Sequence, residues 1–257
     1  MTIATADIVA FVGMYLWPLF RIMAMFSIAP ILGARLVPTR VRLGLALSIT
    51  VVIAPAVPVF DAQSLTLGQS LIIAIQQMLI GFAMGLVLRM VFTALELGAH
   101  VIALQMGLGF AELLDPQGGV QVPTLSQFYI MIGTLMFLAF NGHFLVLQLL
   151  LESFQTLPIG PIGLGSDSLW ALVTWASTIF QGAVLVALSA TVALISVNVM
   201  TGVMTRAVPQ FNMFVAFPGI LLLGYLVIAV SLMSLESQLM QLLNSAVTLL
   251  RDKVIGG

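Results

Sequence analysis

The chain has 257 residues, of which eight are Lys or Arg and nine are Asp or Glu, and its net charge at pH 7 is −1. Only 7% of its residues are charged and 61% are apolar, whereas soluble domains carry about 25% charged residues. Mean hydropathy is +1.20. A water-soluble fold cannot cover so much apolar surface, because its exterior needs polar groups. The composition therefore excludes a soluble enzyme and a disordered chain, and it predicts a membrane protein.

The reactive residue types are scarce. The chain has no cysteine, so disulfides, thiolate catalysis and cysteine-based zinc sites are excluded. Its only lysine is Lys253, and nucleic-acid binding requires clustered basic side chains. His100 and His143 are its only histidines, and neither a His-Glu-x-x-His nor a Gly-x-Ser-x-Gly motif occurs. We therefore expect no catalytic residue, no metal, no cofactor and no nucleic-acid partner.

Six apolar stretches follow one another along the chain, and each is predicted to be helical, which makes the fold class all-α. Pro18 and Pro30 should bend or end the first stretch, and Pro55 and Pro58 lie near the end of the second. The fifth exceeds the roughly 20 residues of a simple span, so it should tilt, break or project from the membrane. The six stretches cover residues 8–32, 43–60, 71–95, 125–151, 169 to about 205, and 211–235.

Two arginines lie inside these apolar stretches. An ionisable residue at bilayer depth costs roughly 2.5–3.5 kcal/mol on insertion scales, so a functional role is the first hypothesis. Arg89 lies near the end of its stretch, which favours snorkelling to an interface or a structural pair. Arg21 is more central and has no partner close in sequence, so a partner on another helix or subunit is expected.

The third stretch also carries the pattern Gly81-x-x-x-Gly85. Small residues at this spacing let two helices in a membrane approach closely. The pattern predicts a close helix contact and does not indicate whether the second helix belongs to this chain.

Glu96 and His100 are four residues apart and would share a helix face. Such a pair can relay protons, which gives an alternative function: a small proton-coupled polytopic transporter. A local ion pair or hydrogen bond is the simpler interpretation, and we favour it because no other titratable residues lie nearby. An intramembrane hydrolase of the Ser-His type is a more distant third hypothesis.

The segment between the third and fourth stretches is the least membrane-like part of the interior. Gly107 and Gly109 give the backbone freedom, and Asp115-Pro116 is typical of a turn. Irregular backbone at membrane depth occurs only where it is buried in protein or lines a cavity. A loop that obstructs a path and an ordinary polar connector both fit this composition.

Several blocks of the sequence, among them residues 107–116, 137–143 and 206–214, together resemble a known family. This is the FliR family of flagellar biosynthetic proteins, which has a counterpart, SctT, in injectisomes. The most specific blocks are the central glycine-rich segment and Arg-x-x-Pro-Gln-x-Asn-x-Phe. One block departs from the family pattern, because the residues after Asn212 are one shorter and lack the lysine that usually follows Gly-Phe-Pro. The blocks that carry the resemblance are residues 107–116, 122–128, 137–143, 153–158 and 206–214, together with Arg21 and Ala29-Pro30.

The resemblance implies a non-enzymatic subunit of the flagellar type III protein export gate, in the bacterial inner membrane at the flagellar basal body. It implies FliP-like, FliQ-like and FlhB-like partner chains, exported unfolded proteins as cargo, and contact with lipid. It also implies bent helical hairpins packed in a helical assembly around a central path. A single domain over 1–257 would have a FliP-like part to about residue 165 and a FliQ-like hairpin and tail from about 166.

Residues 107–123 resemble the plug of this family, which closes the path. The resemblance thus implies that its glycines permit displacement and that Phe110, Leu113 and Leu114 seal by apolar contact. The expected plug or gate residues are Gly107, Gly109, Phe110, Glu112, Leu113, Leu114, Asp115 and Pro116. The expected intersubunit or buried polar residues are Arg21, Arg89, Glu96, His100, Asn141, His143, Arg206, Gln210 and Asn212.

Overall fold

A computed structural model describes residues 5–34, 37–58, 66–108, 124–161, 163–208 and 213–256, with side chains from residue 13 onward except 213–217. Every regular element in these ranges is helical, which confirms the predicted all-α fold. A 3₁₀ turn, Ala54–Ala56, follows the second helix, and a π-helical turn, Leu250–Val254, continues the last. The helices are α1 Thr5–Ile28, α2 Thr39–Ile53, α3 Leu67–Gln105, α4 Thr124–Ala139, α5 Gly142–Thr156, α6 Ser166–Trp175, α7 Ser177–Ala207 and α8 Met213–Leu249.

Each of the six predicted stretches falls on one helix or on two consecutive helices. Among the described residues, α4 and α5 are apolar and long enough for one span only together, as a bent pair. The described apolar part of α1, Gly13–Ile28, is shorter than a full span. The expected number of about six thus corresponds to four, or up to five, candidate spans. The four are Thr39–Ala56, Leu67–Gln105, Ser166–Ala207 and Pro218–Val254.

The prolines act mainly at helix ends. The first helix continues through Pro18 and ends at Ile28, two residues before Pro30. The second ends at Ile53 and is followed by the 3₁₀ turn that contains Pro55, because proline lacks the N–H that would continue the helix. The overlong fifth stretch breaks at Ala176, between α6 and α7.

The fourth stretch also breaks, which its composition did not predict. Asn141 lies between α4 and α5 with a φ of 58°, a left-handed conformation that asparagine adopts more readily than most residues. Gly142 packs against the ring of Phe137 so closely that a Cβ atom would overlap it. The Asn-Gly pair therefore ends one helix and begins the next.

The third helix is longer than its apolar stretch, because it continues past Leu95 to Gln105. It carries the glycine at position 98 within regular helix, where a Cβ atom would lie 2.8 Å from Val186 Cβ. This glycine serves close packing, whereas the sequence suggested a change of character from Glu96 onward.

The chain forms two compact units, each made of several chain segments. Unit 1 contains residues 1–90, 137–176 and 244–257. Within it α1 and α3 run parallel, because Gly81 packs on the carbonyl of Arg21 and Gly85 packs on that of Met25. The predicted close contact of the Gly-x-x-x-Gly pattern is therefore confirmed, and the second helix is α1. The core of unit 1 includes Trp17, Ile22, Phe26, Ile73, Ile80, Met84, Leu88, Leu149, Leu150 and Phe154.

Unit 2 contains residues 91–136 and 177–243. Its core forms where the end of α3 packs with α4, α7 and α8. Gly182 of α7 leaves room for Leu242 of α8 and Ala94 of α3, since a Cβ there would lie 2.9 Å and 3.0 Å from their nearest side-chain atoms. The core of unit 2 includes Leu95, Ala99, Ile102, Met106, Tyr129, Val186, Ala190, Leu194, Leu235 and Leu239.

Candidate functional site

Arg21 is wholly buried in unit 1, and its guanidinium donates to groups on two other helices. Nε donates to Gln77 Oε1 at 2.9 Å. Nη1 donates to the carbonyl and hydroxyl oxygens of Ser153, at 2.7 and 3.1 Å. Nη2 donates to the carbonyl of Leu157 at 2.8 Å. The guanidinium also lies 4.2 Å from the centre of the Phe154 ring.

None of these partners of Arg21 is a carboxylate. The Ser153 carbonyl lies in the last turn of α5, and the Leu157 carbonyl lies at its C-cap, where helix carbonyls carry partial negative charge. The aromatic face adds a cation–π attraction. Carbonyl dipoles and a π face therefore stabilise the buried cation, and they join α1 and α3 to the end of α5.

The predicted plug begins where α3 ends. Gly107 has a φ of 80°, the left-handed conformation that glycine adopts without strain. Its N–H donates to the carbonyl of Leu104, and the N–H of Leu108 donates to the carbonyl of Ala103. These two bonds form a Schellman motif, a common helix stop. The remaining plug residues (Gly109, Phe110, Glu112, Leu113, Leu114, Asp115 and Pro116) lie outside the described residues.

Two other helices contact the same end of α3. Asn198 of α7 donates from Nδ2 to the carbonyl of Gln105 at 3.1 Å. Met106 is fully buried and packs against Gly224 of α8. The two residues directly before the predicted plug, Gln105 and Met106, are thus in contact with α7 and α8 within unit 2.

Comparison with known proteins identifies the family. Residues 12–246 match the family model of the bacterial export proteins, family 1. The chain is 40% identical to the flagellar biosynthetic protein FliR of Escherichia coli K12 over 84% of this chain and 82% of that one. It is 35% identical to FliR of Pectobacterium carotovorum over 88% of both chains. It is 30% identical to FliR of Aquifex aeolicus over 83% of both.

The chain belongs to this family of bacterial export proteins. In the part of the chain that the structure describes, four helical segments are apolar and long enough to cross a bilayer, which agrees with membership. The export protein is therefore an integral protein of the bacterial cell membrane.

Four of the remaining predicted polar residues lie on α3 and α7. Arg89 is exposed on α3, and Arg206 is exposed in the last turn of α7. A basic residue at a helix C-terminus interacts favourably with the helix dipole. Glu96 and His100 are half-buried on α3, and no hydrogen bond or ion pair joins them in this described part of the chain. The local pair that we favoured from the sequence therefore does not form.

The other predicted polar residues belong to the blocks 137–143 and 206–214. Asn141 is exposed in the break between α4 and α5, and His143 is exposed in the first turn of α5. The imidazole of His143 lies 4.3 Å from the ring of Phe144, centre to centre. Gln210 and Asn212 lie outside the described residues.

Sequence reasoning did not identify Gln77 or Asn198, although each contacts a group of interest. Both are amides inside long apolar helices, at positions where most neighbours are aliphatic. A polar side chain in such a helix usually faces the protein interior and finds a partner there. This signal would have singled out both residues but not their partners.

Proposed function

We propose that this export protein is a subunit of the flagellar type III export gate and forms part of the channel for unfolded flagellar proteins. The observation that carries the proposal is the similarity to proteins named FliR over more than four-fifths of the chain. A structural role in transport, without enzymatic activity, agrees with the names of these relatives. In this proposal residues 1–165 are the FliP-like part, and 166–257 are the FliQ-like hairpin and tail.

The exposed surface supports membership of an assembly. The helix α2 presents Val51 and Val52 with 59% and 77% of their surface exposed, and α7 and α8 present similar rows of aliphatic side chains. Such faces in a membrane protein contact lipid or other helices. We propose that FliP-like and FliQ-like chains cover part of them, and that a FlhB-like chain also binds.

We further propose that residues 107–123 form the plug that closes the channel. The Schellman motif at Gly107 supports this proposal, because it ends α3 abruptly and lets the chain change direction. Phe110, Leu113 and Leu114 would seal the path by apolar contact, and the glycines would permit displacement.

The partners can be tested by copurification. Tagged protein coexpressed with FliP-like and FliQ-like chains should bring them down in fixed proportion. The alternative, a proton-coupled transporter using Glu96 and His100, predicts a lone chain that moves a small solute. A stable transport-active monomer or homodimer without such partners would overturn the export-gate proposal.

The plug can be tested by deletion. Removal of residues 109–115 should raise ion conductance through the assembled complex in planar bilayers, because the obstructing segment is shortened. A matched control replaces Leu67 with alanine, which changes an exposed apolar residue at the start of α3, outside the plug and outside the faces of α2, α7 and α8 proposed to bind partner chains. Conductance equal to that of this control would contradict the plug.

A further inference from the structure

We propose that Asn198 and Gly224 are positioning residues that hold the C-terminal end of α3, directly before the proposed plug, in its observed place. The inference rests on the proposed role of residues 107–123. It adds that α7 and α8 act on the start of this segment through two contacts, one to Gln105, the last residue of α3, and one to Met106, which follows it.

The first contact completes the hydrogen bonding of that turn. The last carbonyls of a helix have no partners within the helix. The Schellman bonds satisfy the carbonyls of Ala103 and Leu104. The next carbonyl, that of Gln105, accepts from the Asn198 amide at 3.1 Å. A side chain of α7 therefore donates to the one of these three carbonyls that the Schellman motif leaves without a partner.

The second contact is steric and comes from α8. Met106, the residue before Gly107, is completely buried. A Cβ atom at position 224 would lie 2.6 Å from Met106 Cε, 2.9 Å from Cγ and 3.0 Å from Sδ. The methionine thus occupies space that exists only because position 224 is glycine. Since this contact involves a different helix and a different force, it supports the inference independently.

The two contacts are strong enough to hold the end of α3 and weak enough to release it. Asn198 donates one neutral hydrogen bond, and a single bond of this kind changes a local opening equilibrium by about tenfold. Methionine is unbranched and adapts to a changed neighbour. Displacement of α7 or α8 from the end of α3 would therefore free the start of the plug without unfolding unit 2.

Two substitutions remove these contacts, and the chain offers a matched control for each. Asn198→Asp removes the N–H donor with little change of shape, and Gln238→Glu does the same to an amide that donates to Leu185 O at 3.2 Å elsewhere in unit 2. Gly224→Ala fills the space beside Met106, whereas Gly219→Ala on the same helix meets open space.

The first measurement is thiol modification in the assembled complex. Because the chain has no cysteine, Ala103→Cys introduces a single buried reporter in the last turn of α3. Its modification rate should rise about tenfold with Asn198→Asp or Gly224→Ala. The rate should stay at the parent value with either control and for Ala99→Cys, a buried reporter earlier in α3. Rates equal to those of the controls in both variants would overturn the inference.

A compensating variant guards against general misfolding. Met106→Ala combined with Gly224→Ala removes the overlap between the two side chains. The cysteine reporter should therefore be modified more slowly in this double variant than with Gly224→Ala alone. If the double variant is as reactive as the single one, the steric contact does not position α3 and that half of the inference is wrong.

The second measurement separates this inference from the proposed plug. Conductance of the assembled complex should rise with both positioning variants and with deletion of residues 109–115. If conductance rises with the deletion but not with the two positioning variants, the plug proposal is supported and its positioning by α7 and α8 is wrong. If the reporter is modified faster in both variants but the deletion leaves conductance unchanged, the plug proposal is wrong and the positioning of α3 is supported.

Discussion

The two compact units differ in how they bury polar groups. Unit 1 encloses the cation of Arg21, which donates to one side-chain amide, one hydroxyl and two carbonyls. Unit 2 joins its helices with single neutral bonds, such as those of Asn198 and of Tyr129 with Ser231. A buried charge without its partners is far more costly than a buried neutral group. We therefore expect unit 1 to unfold cooperatively, whereas single contacts in unit 2 can break without unfolding it.

Substitution of Arg21 should have the largest effect on this comparison. Arg21→Met leaves the acceptors Leu157 O and Gln77 Oε1 buried without donors, so we expect a loss of about 3 kcal/mol in stability. Thermal unfolding of the purified complex would measure it, with Arg40→Met, an exposed arginine of α2, as the control. If the two variants unfold at the same temperature, the cation does not organise unit 1.

Removal of one neutral bond from unit 2 should cost less. Tyr129→Phe deletes the hydroxyl that lies 2.9 Å from Ser231 Oγ, while Ser231 keeps its bond to the Ile228 carbonyl. We expect a loss of about 1 kcal/mol, measured by the same thermal unfolding. Tyr225→Phe, at a mostly exposed tyrosine, should change nothing measurable. A loss as large as that of Arg21→Met would remove the distinction between the units.

The smallest effect is expected at the edge of unit 1. Glu152 accepts two 2.9 Å bonds from Arg251, which tie the C-terminal π-helical turn to α5. Both side chains are partly exposed, so Glu152→Gln should cost only about 0.5 kcal/mol. Thermal unfolding at low and high salt would test this, because screening should shrink the difference from the parent protein. The control is Glu236→Gln, at an exposed position of unit 2. A larger loss of stability that persists in high salt would indicate that the ion pair is buried and structural.

The helices could be predicted from the sequence because their apolar stretches are long and contain few charges. The break at Asn141 could not, since its neighbours on both sides are equally apolar. The role of Gly98 could not be predicted either, because glycine is compatible both with a flexible segment and with tight helix packing. Only the position of Val186 distinguishes the two.

The candidate site was predictable in part. Arg21 stands out as a charge in an apolar stretch, so its importance could be predicted. Its partners could not, because two of them are main-chain carbonyls, which every residue possesses. Gln77 and Ser153 are 56 and 132 residues away along the chain, and no local pattern links them to Arg21.

The distance along the chain between Arg21 and its partners sets an order of events during synthesis. The acceptors at Ser153 and Leu157 are translated 132 and 136 residues after Arg21. At typical elongation rates of about 5–20 residues per second, the guanidinium waits roughly 7–26 s for them. During that interval the guanidinium lacks the Ser153 and Leu157 acceptors that it has in the folded protein. The N-terminal helix therefore cannot reach its final place until well over half of the protein has been made.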